Sequence, residues 1–235
     1  MNSTPTLSDV VVVGGCGRVG LPLGIAFASQ GLNVRAYDLN EAVVKQVNDG
    51  VMPFDEPGAP PVLTEVLSAG RFAATTDPSV IASADCVVIV IGTPVDEHLN
   101  PDPNALPRAL TACNQYFRDG QLIVLRSTVY PGVTALVEER LAELGVDVCV
   151  TFCPERILEG HAMEELYSLP QIIGARTDMG RQRAAALFGR LTDKLVHVTP
   201  EEAELAKLFT NVWRYIKFAA VNQFYMIANS QGLDF

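Results

Sequence analysis

Residues 9–20, Asp-Val-Val-Val-Val-Gly-Gly-Cys-Gly-Arg-Val-Gly, constrain the fold more than any other stretch of this chain. A continuous β-branched run passes directly into G-x-G-x-x-G, and residues 21–30 continue with the pattern of a helix. A strand, glycine turn and helix in immediate succession give the glycine spacing its meaning. Gly15 permits the tight turn, Gly17 lets the backbone approach a pyrophosphate, and Gly20 lets the helix pack against the strand. The loop from Gly15 through Cys16, Gly17, Arg18 and Val19 to Gly20 then presents N–H groups and a positive dipole end to phosphates. A second strand, expected at 33–37, ends at Asp38. A carboxylate at that spacing accepts hydrogen bonds from a ribose diol and repels a 2′-phosphate, so the expected cofactor is NAD rather than NADP.

Composition removes several other classes of function. A net charge of −10 argues against a nucleic-acid partner or an anionic membrane surface. It leaves room for a phosphate held by a local nest of N–H groups. Cys16, Cys86, Cys113, Cys149 and Cys153 show neither C-x-x-C nor zinc-finger spacing. Reduced thiols in a cytoplasmic protein without a bound metal are the expectation. Residues 1–8 lack the basic start of a signal peptide, and the apolar run after them is only strand-length, so no membrane span is expected.

Downstream, short apolar runs at 72–75, 86–91, 122–125, 146–152, 172–173 and 195–198 alternate with helical patterns. That alternation predicts an α/β fold, a doubly wound parallel (Rossmann) sheet. Three unusual polar motifs fall at the carboxyl ends of predicted strands: Gly92-Thr93-Pro94-Val95, Ser127-Thr128-Val129-Tyr130-Pro131-Gly132 and Cys153-Pro154-Glu155-Arg156. In open α/β sheets this is the edge at which ligands bind. From Thr199-Pro200-Glu201-Glu202, a capping-box signature, a helical pattern runs unbroken to about residue 231. Its second half is apolar nearly all round, so it expects cover from another domain or subunit. The chain thus divides into a cofactor domain, 1–198, and a long connecting helix, 199–235, that opens a further domain.

On that helix Glu204, Lys207 and Asn211 stand three and four residues apart and share a face. Lys and Asn on an otherwise apolar helix suit oxyanion stabilisation or proton transfer. An ordinary Glu–Lys pair at the solvated end of the helix fits the spacing equally well. In the same way Thr128 could satisfy a turn, Glu155 could be a solvated loop carboxylate, and Arg156 could simply pair with it.

These motifs together resemble the UDP-glucose/GDP-mannose dehydrogenase family over residues 10–235. The likeness rests on Gly15-x-Gly17-x-x-Gly20-Leu21-Pro22, Glu56-Pro57-Gly58 and Gly92-Thr93-Pro94-Val95. It continues through Ser127-Thr128-Val129-x-Pro131-Gly132, Pro154-Glu155-Arg156 and Glu204-x-x-Lys207-x-x-x-Asn211. The resemblance implies two NAD-dependent oxidations of a nucleotide sugar's C6 hydroxyl, with the aldehyde held by a cysteine as a thiohemiacetal. It implies that Lys207 and Asn211 stabilise oxyanions and that Glu155 assists water attack. Thr128 would place that water and the cofactor, and Thr93 would contact the cofactor ribose. Pro154-Glu155-Arg156, with Arg214 after Asn211, implies a UDP-N-acetylhexosamine substrate, UDP-N-acetylmannosamine first, bound by Glu155, Arg156, Lys207, Asn211 and Arg214. The family's nucleophilic cysteine segment has no counterpart here, so the chain reads as the cofactor domain and linking helix of a longer enzyme, or as a natural truncation, inactive alone. A homodimer through helix 199–231 is expected. Competing readings are a non-catalytic NAD-binding module, a UDP-glucose 6-dehydrogenase and a β-hydroxyacid dehydrogenase-like enzyme.

Overall fold

The computed structural model describes residues 8–92 and 105–235. Thr93, Pro94 and Val95, with the polar loop 96–103, lie outside the described residues. Among the described residues eight strands form one sheet: β1 (Ser8–Val13), β2 (Val34–Tyr37), β3 (Phe72–Thr75), β4 (Ala84–Ile89), β5 (Leu122–Leu125), β6 (Cys149–Phe152), β7 (Gln171–Ala175) and β8 (Leu195–Val198). Their order across the sheet is β3-β2-β1-β4-β5-β6-β7-β8. Val10, Val11 and Val12 of β1 are at most 1% exposed, as a central strand covered on both faces requires.

One face packs against α1 (Gly20–Ser29), α3 (Ala59–Ser68), α6 (Ala162–Ser168) and α7 (Asp178–Phe188), through side chains such as Leu23, Phe27, Leu63, Leu166 and Phe188. The other packs against α4 (Ala105–Cys113), α5 (Val133–Glu143) and the first turn of α8 (Pro200–Ser230), through Leu110, Val137, Leu141 and Ala203. Helix α2 (Glu41–Asn48) follows β2 and is capped by the Asn40 side chain, which accepts from Val43 N–H.

The doubly wound sheet and long helix stand as the sequence predicts, and β1 to β6 pair in parallel. The last two strands depart from the expected direction. β7 pairs antiparallel with β6, Phe152 opposite Gly174, and β8 runs parallel to β7. The reason lies in the segment between β6 and β7, which carries only the short α6. It starts and ends at the carboxyl edge instead of crossing back over the sheet, so β7 must return in the opposite sense.

Helix α8 starts with the capping box read from the sequence: Thr199 Oγ1 accepts from Glu202 N–H, and the Glu202 carboxylate accepts from Thr199 N–H. Only Pro200, Ala203 and Glu204 of this helix are buried. Phe209, Trp213, Phe218 and Phe224 are each about 60% exposed or more, so beyond its first turns the helix stands away from the domain.

Candidate active site

The site begins at the first turn after β1. Gly14 and Gly15 N–H both donate to the Tyr37 carbonyl, at 2.9 and 3.0 Å, which ties the turn to the end of β2. The positive φ of this turn belongs to Gly14, at 76°, rather than to Gly15. A Cβ on Gly14 would lie 2.0 Å from the Val90 carbonyl oxygen. At Gly15 it would lie 2.6 Å from the Val12 carbonyl oxygen and 2.7 Å from Ala36, and at Gly20 2.4 Å from the Gly14 carbonyl oxygen. Three glycines are therefore demanded by packing. Gly17 is not: a Cβ there would meet only the Gly14 oxygen at 3.6 Å, an ordinary contact, and the residue is exposed. An open crest above a glycine that the fold itself does not need suits a pyrophosphate passing close to the backbone.

Asp38 faces the same loop. Its Oδ2 accepts from Cys16 N–H at 3.1 Å and its Oδ1 from Asn40 N–H at 3.2 Å. The carboxylate is oriented by the glycine loop while each oxygen keeps a lone pair for a ribose hydroxyl. Val19 precedes α1 without a side-chain cap, and no acidic side chain stands in the first turn. The helix start thus retains its positive end for a phosphate. These residues fit NAD. Arg18, on the crest, lies over the Phe54 ring with its guanidinium carbon 5.5 Å from the centroid. It also stands 3.6 Å from Glu159, both side chains being exposed.

The second part of the site gathers around β5, β6 and α8. Ser127 Oγ accepts from Ile91 N–H at 2.8 Å, joining the ends of β4 and β5; Thr128 beside it is half-buried. Glu155 is not a solvated loop carboxylate. It is 7% exposed, and its Oε2 receives the Arg126 fork, with Arg126 Nε at 2.8 Å. Its Oε1 accepts from Arg156 N–H at 2.7 Å and Ile157 N–H at 2.8 Å. Arg126, 3% exposed, also donates to the Cys153 carbonyl and to Gln171 Oε1, both at 3.0 Å, and its guanidinium carbon lies 5.1 Å from the centroid of the Phe188 ring. Arg156 does not pair with Glu155 through its side chain; its guanidinium donates to the Pro170 carbonyl.

Nor do Glu204 and Lys207 form the intrahelical pair that their spacing allows. The Glu204 carboxylate is fully buried and accepts from Gly132 N–H (2.6 Å), Thr134 N–H (2.8 Å) and Thr134 Oγ1 (2.6 Å). Lys207 Nζ instead donates to the Glu155 carbonyl oxygen. Burial lowers the Lys207 pKa, and Arg126, Arg214 and Arg156 push it the same way against the opposing pull of Glu155. Arg214 Nη2 donates to the Arg156 carbonyl at 3.0 Å. Glu155, Arg156, Lys207 and Arg214 are therefore brought together around one turn, and Asn211 stands exposed one turn of α8 beyond Lys207.

Burial pushes the thiols of Cys16 and Cys153 up to about 12, and that of Cys86 to about 11. A thiol with its pKa so raised is not a poised nucleophile.

Sequence reasoning missed Arg126, although an arginine directly after the apolar run Leu122–Leu125 is a visible signal of a buried partner. It also left Glu56 without a role. That carboxylate, 4% exposed, accepts from Gly160 N–H at 3.1 Å and Ala162 N–H at 2.8 Å and so caps α6. Among the described residues no cluster of potential metal ligands occurs, and no helix is long and apolar enough to cross a membrane.

A doubly wound sheet whose first turn is a glycine loop facing an acid at the end of β2 defines a dinucleotide-binding dehydrogenase domain. Residues 9–192 match the NAD binding domain of the UDP-glucose/GDP-mannose dehydrogenase family, and the chain belongs to that family. Its cofactor is NAD. UDP-N-acetyl-D-mannosamine dehydrogenase from Pyrococcus horikoshii is 31% identical over 95% of this chain and 55% of that protein. The solved structure of the Pyrococcus horikoshii enzyme superposes with a TM-score of 0.87 over the same shares. A UDP-glucose dehydrogenase from Pyrobaculum islandicum, 28% identical, superposes with a TM-score of 0.88 over 100% of this chain and 56% of that one. The chain spans about half the length of the curated relatives it matches.

Proposed function

We propose that this chain is the cofactor half of an NAD-dependent UDP-N-acetylhexosamine 6-dehydrogenase, with UDP-N-acetylmannosamine the favoured substrate. Residues 1–198 form the NAD-binding domain and residues 199–235 open the next domain and supply a dimer interface. The observation that carries this reading is the meeting of Lys207 with the Glu155 carbonyl at the sheet edge that also holds the Asp38–glycine loop. NAD supplies the hydride acceptor when bound. Lys207 and Asn211 face the sugar's C6 oxygen and stabilise negative charge on it, and the lowered pKa of Lys207 eases proton exchange there. Thr128 serves the cofactor side, and Thr93, which lies outside the described residues, is the residue the family resemblance assigns to the cofactor ribose. Glu155 was expected to assist water attack. With its carboxylate committed to Arg126, the role it fits better is to carry the carbonyl that positions Lys207. Arg156 and Arg214 add positive charge on the substrate side. The chain's own buried thiols do not fit the role of covalent nucleophile, so a thiolate from elsewhere in the enzyme takes it.

The preference for an N-acetylated UDP-sugar is supported by the Pyrococcus horikoshii and Escherichia coli relatives, both UDP-N-acetyl-D-mannosamine dehydrogenases at 31% and 30% identity. The test is an NADH-absorbance assay with UDP-N-acetylmannosamine, UDP-glucose and GDP-mannose, run on the 235-residue chain and on the full-length enzyme. No turnover by the chain, with turnover fastest on UDP-N-acetylmannosamine by the full enzyme, is expected. Steady NADH production by the chain alone, or a full enzyme faster on UDP-glucose, refutes it.

A further inference from the structure

We propose that Glu204 is a positioning residue: its buried carboxylate, shared between Gly132 and Thr134, sets where α8 carries Lys207 and Asn211. The proposal rests on the reading of Lys207 and Asn211 given above. Glu204 is the last buried residue of α8; every later residue is half-buried or exposed. Lys207 stands one turn past it, and Asn211 lies about 10 Å further along the axis than Glu204 at 1.5 Å per residue. A helix held at one end magnifies error at its anchor. A tilt of about 10° at Glu204 would displace Asn211 by roughly 2 Å, and a misplacement of about 1 Å already costs on the order of a hundredfold in rate.

The anchor is built for direction. Three donors, Gly132 N, Thr134 N and Thr134 Oγ1, converge on two oxygens at 2.6–2.8 Å in a fully buried site. Gly132 closes the loop that carries Thr128, so one carboxylate links that loop to the helix bearing Lys207. Glu204→Gln keeps the volume but turns an amide N–H2 toward Gly132 N–H, replacing a bond by a donor–donor clash.

Lysine labelled with 13C at Cε reads the consequence in the chain itself, because there are only four lysines, Lys45, Lys194, Lys207 and Lys217. The groups acting on Lys207 are Glu155, Arg126, Arg156 and Arg214. None is altered by the substitution. Burial holds the Lys207 pKa below the ordinary lysine value. In Glu204→Gln and Glu204→Ala its midpoint should move up toward the ordinary lysine value while NAD affinity stays within about twofold. Thr134→Val, which removes one of the three bonds and leaves the charge, should move it in the same direction by less, and it keeps the test open if the Glu204 variants fail to fold. In the full-length enzyme Glu204→Ala should lower kcat at least tenfold with the KM for NAD unchanged. A Lys207 midpoint that stays put in every folded variant overturns the proposal. A midpoint that moves, with Lys207→Met leaving turnover intact, overturns the catalytic reading of Lys207 and leaves the positioning role standing.

Discussion

Arg126→Met tests whether the core of the site depends on the buried Arg126–Glu155 pair. Methionine keeps much of the volume beside Phe188 but removes every donor. Glu155 Oε1 would keep the Arg156 and Ile157 N–H groups, while Oε2 would lose its hydrogen-bonded cation in a site where Glu155 is only 7% exposed. The Cys153 carbonyl and Gln171 Oε1 would each lose a donor as well. Breaking a buried pair from one side costs about 3–5 kcal/mol. The two surviving N–H bonds argue for the lower part of that range and the two orphaned acceptors for the upper part, giving about 4 kcal/mol. In urea, with a slope of about 2.5 kcal/mol/M, the unfolding midpoint should fall by about 1.5 M. Arg126→Met with Glu155→Gln should be more stable than Arg126→Met alone. The amide oxygen still accepts the two N–H groups, and no charge is left uncompensated. A positive coupling of at least about 1 kcal/mol in that double-mutant cycle is expected. A loss below about 1 kcal/mol for Arg126→Met, or strict additivity of the two changes, would refute the reasoning.

Other expected outcomes concern the cofactor loop and the long helix. Gly17→Ala should leave the unfolding midpoint nearly unchanged yet weaken NAD binding by tenfold or more in calorimetric titration, whereas Gly15→Ala should destabilise the domain because its Cβ would lie 2.7 Å from Ala36; equal effects on stability would undo the distinction. Asp38→Ala should weaken NAD by about 1–3 kcal/mol and narrow the gap to NADP, and comparable NAD and NADP affinities before the change would defeat the assignment. Light scattering should find a dimer that Phe218→Asp with Phe224→Asp converts to a monomer without loss of NAD binding, since both side chains are exposed in the single chain; a monomer from the start would remove the interface.

What could be read from the sequence was local, and what could not was a matter of long-range partners. The glycine loop, Asp38 and the capping box at Thr199 involve residues joined by one strand or one turn, so their chemistry shows in the spacing. Even there the turn's positive φ falls on Gly14, where a Cβ would also meet the carbonyl oxygen of Val90, a residue just past β4 that the spacing of the loop does not reveal. Glu204 looked like a partner for Lys207 three residues away, yet its true partners are Gly132 and Thr134, some seventy residues upstream. Arg126 and Glu155 are separated by a helix and a strand, and nothing in either neighbourhood names the other. A buried carboxylate binds whichever donors the fold supplies, and spacing along one helix cannot report donors on another.

The reversal of β7 and β8 explains how these distant groups meet. After a parallel strand, a helix starts at the carboxyl edge and returns toward the amino edge, carrying its later residues away from the ligand side. Because β8 runs against β1–β6, the helix that follows it travels the other way. Its first turn packs at the level of Gly174, where a Cβ would lie 2.7 Å from that of Ala203. One residue later Glu204 reaches the start of α5, and a turn beyond that Lys207 reaches the Glu155 carbonyl, each contact farther out along the carboxyl edge. Had β7 paired in parallel with β6, the same helix sequence would deliver Lys207 and Asn211 to the opposite edge from Asp38 and Gly17. The short segment with α6 between β6 and β7, capped by Glu56, is therefore what allows a helix outside the dinucleotide fold to contribute to its ligand edge.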